Sequence, residues 1–223
     1  MNKVKKEISK KAYLKLEKNN ITKVIIALIK YYPEATCSLN FSTPFSLIVA
    51  LILAAQCTDE RVNKITPILF TKYPTVYDIA NSDVTDIEKI IKPCGFYKNK
   101  AKNIVESAKI IVNQFEGKIP NTMEKLCTLK GIGRKSANIV LQECFSKTVG
   151  IAVDTHVTRI SRKIGLSNSN SAIKIENDLK KIIDKKYWNT INHVFVYHGR
   201  AICIARRPQC QICPINNLCK KND

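Results

Sequence analysis

Four cysteines crowd the end of the chain. Cys203, Cys210, Cys213 and Cys219 are separated by gaps of six, two and five residues. The short gap places two sulfurs on one turn, and the longer gaps let the backbone wrap around whatever the sulfurs hold. Four thiolates in one loop suit a tetrahedral thiophilic metal or a cubane iron–sulfur cluster. Zinc is the competitor, although four-cysteine zinc sites usually combine two closely spaced pairs and this segment has one. Four reduced or paired cysteines without a metal form the third reading. The N-terminus (MNKVKKEISKK) is basic and has no signal-peptide pattern. The longest apolar stretch, 45–57, falls short of the about 20 residues that a membrane span needs. The expectation is an intracellular chain in a thiol-reducing compartment, where clustered cysteines argue for metal before disulfides.

Charge points to an anionic partner. Lys and Arg number 37 against 18 Asp and Glu, a formal net charge of +19. Such an excess repels itself unless a polyanion is near. Nucleic acid is the first candidate through counterion release. An anionic membrane surface and a general compositional preference for Lys are the others. With 7 Gly and 8 Pro in 223 residues, the chain is not loop-rich. A low-complexity linker, an acidic calcium binder and a small disulfide knot are all excluded.

The apolar patterning is helical. Thr43-Pro44 reads as an N-cap followed by Pro at the first helical position, where the missing N–H costs nothing. The run 45–55 is apolar on nearly every side, as in a helix central to a core. Thr58, followed by Asp59 and Glu60, opens another helix with acids at its positive end. Thr66-Pro67 predicts a restart or kink. Ala101, Ile104, Val105, Ala108, Ile111 and Val112 form one stripe over 98–113. Asn121 and Glu124 have capping-box spacing for a short helix, Gly131 and Gly133 break it, and a new helix runs over 134–145. A further helix carries Ala172, Ile175, Leu179, Ile182 and Ile183 after a Ser/Asn-rich loop. No segment alternates like a strand, so the expected fold class is all-α.

The segment 129–137 (LKGIGRKSA) joins two of these helices. Gly131 and Gly133 at a tight turn expose backbone N–H groups. With the following helix N-terminus, these make an anion site suited to a phosphate. Ile132 pins the turn by packing, and Lys130, Arg134 and Lys135 add positive charge. Without such a ligand, the segment is an ordinary helix–helix turn. A second basic segment lies in the six-residue cysteine gap (IARRPQ), where Arg206 and Arg207 either meet phosphates or offset the thiolates.

The order LKGIGRKSANIVL, VDTH at 153–156, HGR at 198–200 and the four cysteines resembles the endonuclease III family of helix-hairpin-helix DNA glycosylases. LNFSTPFSLIVALILAAQCTD (39–59) and GFYKNKAKNI (95–104) match as well, and the likeness spans roughly residues 20–221 in order. The resemblance implies a two-lobed all-α fold with a DNA cleft. One lobe is a six-helix barrel over 39–147 containing the hairpin. The other is built from 1–38 and 148–223 and carries a [4Fe-4S] cluster on Cys203, Cys210, Cys213 and Cys219. It implies a bifunctional enzyme of base excision repair that acts as a monomer on chromosomal DNA in the cytoplasm. Such an enzyme removes oxidised pyrimidines from double-stranded DNA and nicks the abasic site by β-elimination.

By the same resemblance the nucleophile is Lys135 and the catalytic aspartate Asp154. Free Lys titrates near about 10.4, and an amine must be neutral to attack C1′. A helix N-terminus, the cations Lys130 and Arg134 and partial burial would all disfavour the ammonium. Taken alone, Lys135 reads as a phosphate-binding cation and Asp154 as a helix N-cap. Gln56 is implied as the polar side chain that fills the gap left by an extruded base. Phe96 stands where the family often has a Leu wedge, and its alternative is core packing. Lys130 replaces a frequent Pro, and Cys57 a small residue expected to be buried. His156 and His198 are read as packing or hydrogen-bonding residues. About fifteen basic N-terminal residues lie outside the likeness and suggest a DNA-binding arm or a frayed helix. Two other readings compete: a monofunctional glycosylase, whose members lack the lysine, and a noncatalytic DNA-binding protein with a structural metal.

Overall fold

In the computed structural model, residues 18–219 are described, and they form α-helices and 3-10 turns with no strand among them. The basic N-terminal arm lies outside the described residues. Two compact units share the chain. One is Cys37–Val149, and the other joins the described residues up to Thr36 with those from Gly150 onward.

Helix α1 (Lys18–Tyr31) belongs to the second of these units, and the chain then enters the first. There α2 (Pro44–Leu53) is the central element: every residue from Phe45 to Leu53 is buried. A capping box fixes its start, with Thr43 and Ser46 each accepting the other's backbone N–H. Each large apolar side chain buried on it contributes about 1.5–3 kcal/mol. Around it pack α3 (Asp59–Lys72), α6 (Tyr97–Phe115) and α8 (Arg134–Phe145), while α4 (Val76–Ala80) and α5 (Val84–Ile91) lie against α6. The short α7 (Met123–Leu126) leads into the hairpin before α8.

Two local expectations change. Helix α3 runs unbroken through Pro67 instead of restarting there. Its buried face of Val62, Ile65, Thr66 and Leu69 spans the proline, and the Thr66 hydroxyl donates to the Val62 carbonyl at 3.2 Å. Packing on both sides outweighs the one lost backbone bond. The cap of α7 is Thr122, not the Asn121–Glu124 box: its backbone is the extended one (φ −127°, ψ 155°), and its side chain accepts from the Lys125 N–H.

The second unit packs α1 and α9 (Thr155–Lys163) against α11 (Trp188–Ala201), with α10 (Ala172–Ile182) beside α9. Ile25, Leu28, Val157, Ile160, Leu179 and Phe195 form its core. Two single-turn 3-10 helices, Cys210–Ile212 and Asn216–Leu218, follow and carry the cysteine loop. Among the described residues, no helix is long and apolar enough to cross a membrane.

Candidate active site and metal centre

The hairpin before α8 is held from below. Leu129 and Ile132 are buried, and the Ile132 N–H donates to the Leu129 carbonyl at 3.2 Å. The Ser107 hydroxyl donates to the Lys130 carbonyl at 3.0 Å. Gly131 has φ +79°, and a Cβ there would meet the Asn103 amide at 3.1 Å. It is glycine because the fold requires it. Gly133 differs: its backbone is extended (φ −100°, ψ −179°), and a Cβ would meet nothing within 4 Å. As the N-cap of α8 it supplies no side-chain bond, which leaves open backbone surface at the turn. Lys130, Arg134 and Lys135 are exposed around this bare surface. The partial burial expected for Lys135 is not found. As the second residue of a helix projecting from the hairpin, its side chain is carried outward.

Two turns of the same unit carry Gln56 and Phe96. Both residues hold left-handed backbone, φ 53° at Gln56 and φ 45° at Phe96, a conformation that costs an L-residue about 1–2 kcal/mol. Phe96 is 64% exposed, which rules out the core-packing reading, and Gln56 is exposed too. Cys57 is half-buried, not buried as expected. Its thiol faces that of Cys94, and burial together with this contact pushes Cys94 up to about 11.

Asp154 is the N-cap of α9, accepting from the Val157 N–H at 2.8 Å. The capping role read from sequence is therefore real, and one carboxylate oxygen is fixed by it. The half-buried carboxylate is thereby held at the start of the helix.

The four cysteines line one cavity of about 760 Å³ inside their own unit. Burial raises the Cys219 thiol to about 11, helped by Cys213, Cys203 and Cys210, which places all four within one electrostatic neighbourhood. Four cysteine sulfurs around one cavity are the donor set that a cubane iron–sulfur cluster requires.

Sequence reasoning missed Arg159 and Tyr32, which support this loop, while His198 has the hydrogen-bonding role expected of it. Arg159 donates from Nη2 to the carbonyls of Gly199 (3.0 Å) and Cys203 (2.9 Å). Gly199 is required here, because a Cβ would collide with His156 and Arg159. His198 is buried. Its Nδ1 lies 3.1 Å from the Tyr32 hydroxyl and its Nε2 3.7 Å from Cys213 Sγ. Burial, then the Arg159 charge, lowers His198 to about 4, so the imidazole is neutral at neutral pH. The neutral ring thus has one nitrogen against the Tyr32 hydroxyl and the other against the Cys213 sulfur. The spacing H-G-R before the first cysteine was the available signal, but the partners lie just after α1 and on α9, far off in sequence. Arg206 and Arg207 are exposed on the loop between Cys203 and Cys210, which the Gln209 N–H to Ile202 carbonyl bond closes at 2.9 Å.

Comparison with known proteins defines the class first. Residues 49–185 match the HhH-GPD superfamily of base excision DNA repair proteins, and residues 203–219 match the iron–sulfur binding domain of endonuclease III. The second match begins and ends on the outer two cysteines of the loop. Endonuclease III of Synechocystis sp. is 47% identical over 203 residues, covering 91% of this chain and 93% of that protein. Endonuclease III of Bacillus subtilis is 39% identical, covering 85% and 87%. The solved structure of a trapped endonuclease III–DNA covalent intermediate has a TM-score of 0.87 at 38% identity, covering 92% of this chain and 96% of that one. A non-covalent endonuclease III–DNA complex scores equally.

This chain therefore belongs to the endonuclease III family. It is a DNA-binding base excision repair enzyme with glycosylase and AP lyase activity and a [4Fe-4S] cluster.

Proposed function

We propose that the lesions are oxidised pyrimidines and abasic sites in double-stranded DNA, that Lys135 is the nucleophile, and that Asp154 is the catalytic aspartate. One observation carries the assignment. Lys135 is an exposed primary amine in the first turn of α8, beside a hairpin whose outer face is bare. A similar enzyme has been trapped as a covalent DNA intermediate, and covalent capture of a deoxyribose demands such an amine.

The Lys135 amine attacks C1′ through its nitrogen lone pair. The bond from C1′ to the damaged base breaks, and the base leaves with a proton. The sugar ring then opens as the C1′–O4′ bond breaks and O4′ takes a proton from water, which gives a protonated imine between Lys135 and C1′. The imine acidifies the C2′ hydrogen. Loss of that proton expels the 3′ phosphate by β-elimination, and water finally releases the lysine. Asp154 stabilises the positive charge that develops on the sugar as the base departs. The hairpin amides of 131–133, with Lys130 and Arg134, hold the DNA backbone, and Arg206 and Arg207 add phosphate contacts. Gln56 and Phe96 enter the duplex where the target base has left the stack, a step costing a few kcal/mol that a damaged base reduces.

Cys203, Cys210, Cys213 and Cys219 hold the cluster. When bound, it supplies a cross-brace that shapes the basic loop carrying Arg206 and Arg207. The enzyme acts as a monomer on the chromosome in the cytoplasm.

Borohydride reduction tests the nucleophile. Wild-type protein incubated with a duplex carrying an oxidised pyrimidine should yield a covalent adduct that survives denaturing electrophoresis. Lys135→Ala should yield none, and an adduct of equal intensity would assign the chemistry to a different amine.

A further inference from the structure

We propose that Lys100 is a positioning residue that sets the geometry of the two turns bearing Gln56 and Phe96. The proposal rests on the reading above, in which those two side chains enter the duplex. Lysine is almost never fully buried, yet Lys100 is 4% exposed, in the first turns of α6. It forms no ion pair among the described residues. Its Nζ donates instead to two backbone carbonyls, Leu53 at 2.8 Å and Cys94 at 2.9 Å. Burial pulls its pKa down, the expected cost of a cation held by neutral partners.

The two acceptors are what give this cost a purpose. Leu53 is the last residue of α2, and its carbonyl is one that a helix end leaves without an intrahelical partner. The chain leaves it directly for Gln56. Cys94 ends the 3-10 turn before Gly95 (φ 68°) and Phe96 (φ 45°). One ammonium thus joins the roots of both turns, and each turn carries a non-glycine residue in left-handed backbone. The Lys100 N–H also donates to the Phe96 carbonyl at 3.1 Å. One further contact runs between the same turns, where the Cys57 and Cys94 thiols face each other, and Arg61 Nη1 on α3 donates to the Pro93 carbonyl at 3.3 Å. A left-handed residue at a surface turn relaxes unless its surroundings over-determine it. Lys100 is the group that bonds to both turns at once.

The test compares two substrates in one variant. Duplex DNA with an oxidised pyrimidine needs both turns to enter the helix. A single-stranded oligonucleotide with a preformed abasic site needs only the lyase chemistry. In Lys100→Met the ratio of duplex to single-strand cleavage rate should fall at least tenfold, and in Lys100→Arg, which keeps donors, most of that ratio should return. Lys100→Gln, with a shorter reach, carries the same measurement should the methionine variant not fold. An unchanged ratio in any folded variant that lacks both bonds overturns the positioning role. Gln56→Ala and Phe96→Ala, measured alongside, report on the underlying reading. If they leave the ratio untouched, the insertion of those side chains is wrong. If they lower it while Lys100→Met does not, only the role of Lys100 is wrong.

Discussion

Gln56 and Phe96 keep a backbone that neither side chain favours, and Phe96 leaves an aromatic ring mostly in solvent. Relief of that strain should show in stability. Replacement by glycine removes a cost of about 1–2 kcal/mol and adds about 0.5–1 kcal/mol of unfolded-chain entropy. Phe96→Gly and Gln56→Gly should therefore each raise the urea midpoint slightly, by about 0.5 kcal/mol in unfolding free energy, while slowing excision from duplex DNA. A gain in stability joined to a loss of activity marks residues kept for contact with a ligand. Loss of both would instead make them parts of the fold. Asp154 separates similarly, because its carboxylate caps α9 and is also assigned to the sugar. Asparagine keeps the cap and alanine forfeits about 1 kcal/mol of it. Asp154→Asn should melt like wild type and lose most glycosylase activity, whereas Asp154→Ala should lose both.

At the scale of elements, the hairpin is built from two glycines with different reasons to be glycine. Gly131 is held at φ +79° against Asn103 and Ile52, so Gly131→Ala should destabilise the protein by about 1–2 kcal/mol. Gly133 has ordinary backbone and open space where a Cβ would stand, so Gly133→Ala should change thermal stability by less than about 1 kcal/mol. Its effect should appear as weaker binding to undamaged duplex, read by fluorescence anisotropy. Equal binding by wild type and Gly133→Ala would mean that no phosphate approaches that face. The cysteine loop is likewise held by other elements: α9 supplies Arg159 to the Cys203 carbonyl, and α11 supplies His198 to Cys213. Removing one of those helices from its place would disturb the sulfurs without touching a cysteine.

For the whole molecule, positive charge governs how the protein meets its substrate. A net +19 spread over a DNA-binding enzyme makes affinity a function of salt, since each phosphate neutralised contributes about −0.9 to the slope of log K against log salt. Raising salt from about 50 to 200 mM should weaken duplex binding by about a thousandfold, as for a protein with six or more phosphate contacts. A flat response would leave the basic surface without a role in recognition.

Much of this is legible in the chain alone. The all-α class follows from apolar periodicity, and α2, α6, α8 and α10 fall where capping residues and stripes put them, because these signals are local and repeat within a helical turn. The cluster-binding loop is legible for the same reason: its four sulfurs lie within a few residues of one another. What stays hidden depends on residues far apart in the chain. Only packing decides that α3 tolerates Pro67, or that Lys135 stands exposed. Only packing places Tyr32, His198 and Cys213 in one line, or buries Lys100 under the turns of Gln56 and Phe96. Sequence periodicity encodes which face of an element is apolar. It does not encode which distant carbonyl a buried donor will meet, and that choice belongs to the assembled structure.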